Sequence, residues 1–191
     1  MSLIFKQHLQ KFIAISDPEF LSVLSFFEMI PVKKKQILMR EGEVCDKHFF
    51  VLKGCLRKYF VNEKGVEQTT EFAIENWWIT DNMSYEHGLK TEFYFQAVEH
   101  SEVLVISKKS QDALLNAFPV MERYFRFVYQ RAYAAYQMRI KFLYTFSKED
   151  YYFHFAERYP AFVQRIPQYL LASFLGFSPE YLSEIRAKRI S

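Results

Sequence analysis

The sequence predicts an α+β fold: an N-terminal β jelly roll with flanking helices, then a long helix, then a C-terminal helix-turn-helix. Between Gln36 and Ser107, short apolar segments recur at about ten-residue spacing with turns between them, which is typical of a jelly roll. A helical pattern then runs without interruption from Val120 to Phe146. The stretch from Ile166 onward reads as two short helices around a tight turn.

Three segments follow from these patterns: a β-roll domain over 1–118, a long helix over 119–146, and a helix-turn-helix domain over 147–191. Ser147 is a good N-cap and is followed by an acidic first turn, so a new helix is expected to begin there. The boundary before the last segment is therefore placed near Thr145–Ser147.

The roll is expected to begin after two helices, the first over Leu3–Ile15 and the second over Glu19–Phe27, with Ser16 or Asp17 as the cap of the second. A further helix is predicted over Lys108–Phe118. The predicted strands of the roll are Ile37–Met39, His48–Leu52, Cys55–Val61, Glu67–Ala73, a segment from Trp77, Phe93–Val98 and Val103–Ile106.

The long helix carries a stripe of residues at alternating steps of four and three, the spacing of a coiled-coil seam. One interpretation packs this stripe on the chain's own jelly roll. The other makes it the seam of a parallel homodimer, in which the small side chains of Ala132 and Ala135 let two backbones approach. The predicted seam residues are Phe125, Val128, Ala132, Ala135, Arg139 and Phe142.

The C-terminal pattern predicts a helix over Gln168–Leu175, a left-handed turn at Gly176, and a second helix capped by Ser178 with Pro179 in its first turn. An ordinary αα-hairpin would give the same pattern. The exposed face of the second helix is polar and ends basic, which favours a DNA-binding helix-turn-helix. The predicted DNA-binding residues are Ser178, Glu180, Tyr181, Ser183, Glu184, Arg186, Lys188 and Arg189.

The composition indicates a globular protein, since 50% of the 191 residues are hydrophobic and 25% are charged. The net charge of +3 permits nucleic-acid binding without arguing for it. Cys45 and Cys55 form neither a disulfide framework nor a CxxC metal site. We find no signal-peptide pattern and no apolar run near the roughly 20 residues of a membrane helix, so we expect a cytoplasmic protein without a membrane partner.

A β-roll with the Arg40–Glu43 turn, the Val51–Gly54 strand and turn, and a later Gly65 turn, followed by a long helix and the run Phe174–Arg186, resembles the CRP/FNR family of bacterial transcription regulators. The resemblance covers nearly the whole chain. It implies a homodimer that senses a small-molecule effector in the β-roll and binds a palindromic site in double-stranded DNA.

The sensor departs from the pattern of the family's cyclic-nucleotide binders, which use a Gly-Glu step and a later Arg-Ser or Arg-Thr step. Thr80-Asp81 stands near the first step. Thr91-Glu92 stands near the second, or Lys90-Thr91 if the alignment shifts by one, so the glycine and the arginine are missing. Asp81 could replace the sugar-binding acid, and Lys90 could offer one point charge without the fork geometry of arginine. We therefore expect no cAMP or cGMP binding and leave the effector unknown.

No cofactor is predicted, because the iron–sulfur members of the family need several cysteines near the N-terminus. Five scattered histidines leave a haem version open. A cupin-type metalloenzyme shares the jelly-roll strands but needs a His-x-His pair, which this sequence lacks, so the protein is predicted not to be an enzyme.

The resemblance also implies roles on the second helix. Glu180 matches the family's base-contacting acid and could accept a hydrogen bond from cytosine N4, whereas Glu184 stands where the family has a guanine-reading arginine. Arg186, Lys188 and Arg189 are expected to meet phosphates. The two acids keep an alternative open, in which a degenerate sensor acts through a protein partner instead of DNA.

Overall fold

The structure, a computed structural model, describes residues 2–188. The chain divides into two compact units: the first comprises residues up to Phe60 together with Thr70–Gln130, and the second comprises Val61–Thr69 together with the residues from Arg131 onward. The division falls inside the long helix. The three segments predicted from the sequence, over 1–118, 119–146 and 147–191, are a different division and stay a prediction.

Eight strands of the chain form two four-stranded antiparallel sheets, with the orders β1-β8-β3-β6 and β2-β7-β4-β5. This is the double-sheet arrangement of a jelly roll, and it confirms the predicted fold class. The strands are β1 Glu28–Val32, β2 Ile37–Met39, β3 Lys47–Lys53, β4 Leu56–Val61, β5 Glu67–Ala73, β6 Trp78–Ile79, β7 Tyr94–Ala97 and β8 Ser101–Ser107.

Strand β1 was not predicted, because Pro31 argues against a strand in that segment. The strand lies at the edge of its sheet, with β8 as its neighbour in the described part of the chain, and proline is tolerated in edge strands. The turn between β3 and β4 needs Gly54, which has φ of +101°, and an added Cβ there would come within 2.7 Å of Ser101 Cα. No other residue fits this turn without moving β8.

Five helices begin in the first unit: α1 Ser2–Gln10, α2 Asp17–Leu24, α3 Asn82–His87, α4 Lys108–Ala117 and α5 Val120–Thr145. Helix α2 starts with the predicted Ser16 cap, whose backbone and hydroxyl are both bound by the Glu19 carboxylate. The short helix α3 lies in the segment where the sequence places the effector cassette. The long helix α5 confirms the helical pattern after Pro119.

Strand β3 is buried along almost its whole length because its two faces serve two different cores. Phe49 and Val51 point between the two sheets, with Leu56 and Phe95. Phe50 and Leu52 point to the other side, where helices α1, α2, α4 and α5 cover the sheet. Besides Phe50, the buried aromatic side chains of this helical side are Phe5, Phe20, Trp78, Tyr124 and Phe125.

The second unit contains the remaining helices: α6 Lys148–Arg158, α7 Pro160–Arg165, α8 Gln168–Leu175 and α9 Pro179–Lys188. Helix α6 begins with the predicted Ser147 cap, whose hydroxyl accepts the Asp150 N–H at 3.1 Å. The sequence prediction missed α7, which follows directly on Pro160. The buried side chains of this unit include Tyr151, Tyr152, Ile166, Leu171, Leu175, Leu182 and Ile185.

Candidate nucleic-acid interface and sensor site

Helices α8 and α9 form the predicted helix-turn-helix. Gly176 is left-handed with φ of +78°, and its N–H reaches the carbonyls of Ala172 and Ser173 at the end of α8. Ser178 caps α9 by accepting the Tyr181 N–H at 3.2 Å. Leu182 and Ile185 are fully buried beneath the motif. Helix α9 therefore packs with the Leu182 and Ile185 side inward, and its opposite face points outward.

That outward face of α9 holds most of the residues predicted to contact DNA. Arg186 and Tyr181 are half-buried, and the remaining described residues are exposed, namely Ser178, Glu180, Ser183, Glu184 and Lys188. Arg189, also predicted, lies outside the residues that the structure describes. Glu180 and Glu184 stand four residues apart and therefore share one side of the helix. The face thus runs from acidic at its start to basic at its end.

Charge in this part of the chain is weighted toward cations. Between Arg131 and Lys188 the sequence carries eight Lys or Arg and five Asp or Glu, a net charge of +3. At the end of α9, the ammonium of Lys188 lies 3.6 Å from the Glu149 carboxylate, and the two side chains are 64% and 38% exposed. An exposed pair of this kind contributes little to stability, so Lys188 can exchange this partner for a phosphate.

Helix α8 is held from two directions within the second unit. From α5, Arg139 donates to the Phe174 carbonyl at 2.7 Å and stacks its guanidinium 4.2 Å from the Phe174 ring centre. From the β4–β5 hairpin, the Ser173 hydroxyl accepts the Thr69 N–H at 2.9 Å and donates to the Glu67 carbonyl at 2.8 Å. These contacts fix the helix on which α9 is mounted.

The seam predicted along α5 is largely used by the chain itself. Phe125 is 3% exposed and lies in the core of the first unit, 5.3 Å from the Trp78 ring, with Val128 packed beside that core. In the second unit, Phe142 packs 4.8 Å from the His154 ring, and Arg139 contacts α8 as described above. Of the two predicted small residues, Ala132 is half-buried and Ala135 exposed.

A different stripe of α5 faces solvent, one residue later at each step. Tyr133 is 66% exposed, and Ile140 and Leu143 are each 54% exposed. Tyr136, which is half-buried, completes the alternation of three and four between them. We call these four residues the outer stripe. Because successive residues turn by about 100° on a helix, the outer stripe lies about a quarter turn from the predicted seam.

Three of the four predicted effector residues already have hydrogen-bond partners within the first unit, namely Thr80, Asp81 and Thr91. We call these three residues the closed set. Asp81 caps α3, where its carboxylate accepts the Ser84 N–H at 3.4 Å and the Thr91 hydroxyl at 2.9 Å. Thr80 is buried, and its hydroxyl donates to the Lys47 carbonyl at 2.8 Å. Lys90 stays exposed. Thr91 therefore uses the carboxylate that a sugar hydroxyl would need.

The sequence prediction missed a buried ion pair beside this set. The ammonium of Lys58, on β4, lies 2.7 Å from the Glu71 carboxylate of β5 and donates to the Thr80 carbonyl at 3.0 Å. Its third neighbour is the Phe93 ring, with the ring centre at 5.3 Å. Lys58 is only 6% exposed. One indication of this pair is available in the sequence: Lys58 lies in the middle of the predicted strand Cys55–Val61.

A second buried polar group connects four elements of the first unit through the Gln111 amide of α4. Tyr85 of α3 donates to its oxygen at 3.1 Å, and the amide also bonds His48 of β3 and Tyr129 of α5. Burial lowers the pKa of His48 to about 3, which keeps the ring neutral near pH 7. This histidine therefore belongs to a neutral network between α3 and α5.

The described part of the chain lacks two other features. Among residues 2–188, no group of three or more His, Cys, Asp and Glu side chains is arranged to hold a metal ion. Within the same residues, no helix combines the length and the apolar character needed to cross a membrane.

Comparison with known proteins finds a matching domain family and solved structures of similar fold. The model of the cyclic nucleotide-binding domain family matches residues 29–118. A comparison with curated protein sequences gives no significant match. Solved structures are similar over most of the chain. One is FixK2 from Bradyrhizobium japonicum, at 13% sequence identity and a TM-score of 0.69, covering 85% of this chain and 83% of that one.

Two further solved structures agree in fold. The c-di-GMP-responsive global regulator CLP of Xanthomonas campestris is 12% identical, with a TM-score of 0.68 over 88% of this chain and 89% of that one. A transcriptional regulator of the CRP/FNR family from Eubacterium rectale is 14% identical, with a TM-score of 0.69 over 92% and 84%. Residues 29–118 therefore match the cyclic nucleotide-binding domain family, and the chain has the fold seen in the CRP/FNR-type transcriptional regulators.

Proposed function

We propose that this protein is a homodimeric, DNA-binding transcriptional regulator of the CRP/FNR type whose β-roll does not bind cAMP or cGMP. The observation that carries the proposal is the outward face of α9, which is polar, ends in cations and is mounted on a fixed α8. Two of the structurally similar proteins are regulators by name, which supports the same function here. No step of the proposal requires catalysis.

In the proposed complex, α9 enters the major groove, with its first turn toward the bases and its last turn toward the backbone. Glu180 would accept from cytosine N4, and Arg186 and Lys188 would neutralise phosphates. Two such helices must lie roughly 34 Å apart to enter successive major grooves. A dimer meets this requirement only if its seam holds the two copies in one register.

We place the dimer seam on the outer stripe of α5. Leaving three large apolar side chains 54–66% exposed on one helix costs about 1–2 kcal/mol each relative to their burial. A parallel copy would cover them with the same residues and restore the coiled-coil spacing. This assignment replaces Phe125 and Phe142 of the seam predicted from the sequence, because those side chains already pack within their own units.

The sensor part of the proposal rests on the closed set around Asp81 and on the neutralised Lys58. Binding a cyclic phosphate requires cations and donors arranged around the phosphate. The Lys58 ammonium is held by Glu71 and Thr80, and the exposed Lys90 supplies one point charge without the fork geometry of arginine. The proposal includes a cytoplasmic location, because a bacterial protein that binds DNA must be in the same compartment as the DNA.

Alanine at both Arg186 and Lys188 tests the DNA proposal. We expect weaker binding to a random-sequence duplex at low salt, with the log–log salt slope shallower by about one for each phosphate that is no longer neutralised. Fluorescence anisotropy over a salt series measures both quantities. Lys47→Ala with Lys109→Ala is the matched control, since it removes the same charge from exposed sites of the first unit. Equal affinity and slope in wild type and the Arg186/Lys188 variant would contradict DNA binding by α9.

The same variant separates the second candidate function, action through a protein partner. Exposed Glu180 and Glu184 on α9 favour a basic protein surface as that partner. If this candidate is right, replacing both acids by glutamine removes the protein interaction, and the protein shows no duplex affinity to lose. A loss of duplex affinity on replacing Arg186 and Lys188 supports DNA instead.

Cyclic nucleotides are expected to leave the thermal midpoint of unfolding unchanged. A ligand at about 100 times its Kd would stabilise the fold by roughly 2.7 kcal/mol, a shift of several degrees. Differential scanning fluorimetry with cAMP and cGMP measures this directly. A midpoint that rises with nucleotide concentration would contradict the closed sensor.

A further inference from the structure

A rigid basic turn lies at one end of the β1–β8–β3 sheet, and none of its residues serves the functions proposed above. Lys33, Lys34 and Lys35 follow each other between β1 and β2, and all three side chains are exposed. Lys53, at the end of β3, is exposed as well. Within residues 2–188, none of these four lysines has an ion-pair partner.

The turn is held in one conformation by its own backbone contacts. The Gln36 side chain accepts the Lys33 N–H at 2.9 Å, and the Gln36 N–H donates to the Lys33 carbonyl at 2.9 Å. Lys35 donates its N–H to Ala97 at 2.8 Å and has φ of +66°, a left-handed conformation that costs a non-glycine residue free energy. The three ammonium groups are therefore presented on a fixed backbone.

Beside this turn lies a cleft of about 300 Å³. Its walls carry the cations Lys33 and Lys53 and the titratable ring of His100, and a single carboxylate, Glu102, faces them. Its remaining lining is Pro31, Val32, Gln36 and Ser101. Glu102 is the cross-strand partner of Lys53 in the β3–β8 register, so it offsets part of that charge. We call these residues the basic cleft.

We propose that the basic cleft is a docking surface for an acidic peptide segment of a partner protein, with one apolar side chain seated on Pro31 and Val32. Four lysines without internal partners supply the charge that an acidic segment complements. One feature favours a peptide over nucleic acid. The lining of the cleft is more apolar than polar, and an apolar lining suits an apolar peptide side chain and offers nothing to a phosphate backbone.

The test uses the full-length protein and a short labelled peptide that carries glutamates on both sides of one leucine. We expect fluorescence anisotropy at low ionic strength to show binding. Lys33→Glu with Lys53→Glu should weaken it about tenfold, because each exposed attraction is replaced by a repulsion. Lys47→Glu with Lys109→Glu is the matched control, because it changes the net charge equally at the opposite end of the same sheet.

Three outcomes would overturn the proposal. Equal weakening by the two double variants would show that net charge alone is responsible. Equal affinity for a peptide whose leucine is replaced by serine would show that the cleft takes no side chain. A tenfold loss of random-sequence duplex affinity in the Lys33/Lys53 variant, with peptide binding unchanged, would assign the surface to nucleic acid. Thermal midpoints of both double variants verify that each remains folded.

Discussion

Replacing Lys58 by methionine is expected to lower the free energy of unfolding by about 2 kcal/mol, because it removes the Lys58 ammonium from the largely buried Glu71 carboxylate. The side chains of Lys58 and Glu71 are 8% and 19% exposed, and their charged atoms lie 2.7 Å apart. The Lys58→Met, Glu71→Met double variant removes both charges together and should recover most of this loss. Urea denaturation of the wild type, the two single variants Lys58→Met and Glu71→Met, and the double variant gives the coupling energy between the two sites.

Lys47→Met is the control for this experiment, since Lys47 is an exposed lysine on the neighbouring sheet and should change stability by less than about 0.5 kcal/mol. Additive losses in the double variant would show that the pair is not coupled. In that case Glu71 would not neutralise Lys58, and one reason for expecting no cyclic-nucleotide binding would be lost.

Aspartate at Ile140 is expected to convert the dimer to a monomer, because the two-fold symmetry of a parallel pair places two buried charges opposite each other. We expect the dimer dissociation constant to rise by at least about 100-fold, with DNA affinity falling along with it. Analytical ultracentrifugation measures the first effect and anisotropy the second. Ile140 is 54% exposed in the single chain, so the change should leave the fold of the protomer intact.

The matched control is Ala135→Asp, which places the same charge on the exposed side of α5 that belongs to the seam predicted from sequence. We expect Ala135→Asp to stay dimeric. The opposite result, a dimer with aspartate at 140 and a monomer with aspartate at 135, would restore the sequence-derived seam and reject the outer stripe.

The fold followed closely from local patterns. Period-two alternation and turn residues predict most of the eight strands, because a half-buried strand leaves that signature whatever its neighbours are. Gly176, Ser178 and Pro179 predict the helix-turn-helix because each suits one backbone position and few others. Strand β1 and helix α7 escaped prediction, since Pro31 and Pro160 argue against regular structure unless the sheet edge or the helix start is known.

The sites were harder to predict, for a reason that α5 illustrates. Spacing sets the period of a seam but not its phase, and α5 carries apolar residues in two neighbouring stripes. Which stripe faces outward depends on what Phe125 and Phe142 pack against, and only tertiary structure supplies that information. Lys58 and Glu71 present the same difficulty, because they lie thirteen positions apart and become partners only when β4 and β5 come together. The DNA contacts of α9 stay predictions.

The most direct test of the central claim is a selection of binding sites from a random-sequence duplex pool with the full-length protein. A dimer that presents two α9 helices should enrich an inverted repeat whose half-sites are centred about 10–10.5 base pairs apart. The Ile140→Asp protein should enrich at most a single half-site. An unenriched pool, or a single half-site enriched by the wild-type protein, would contradict the account.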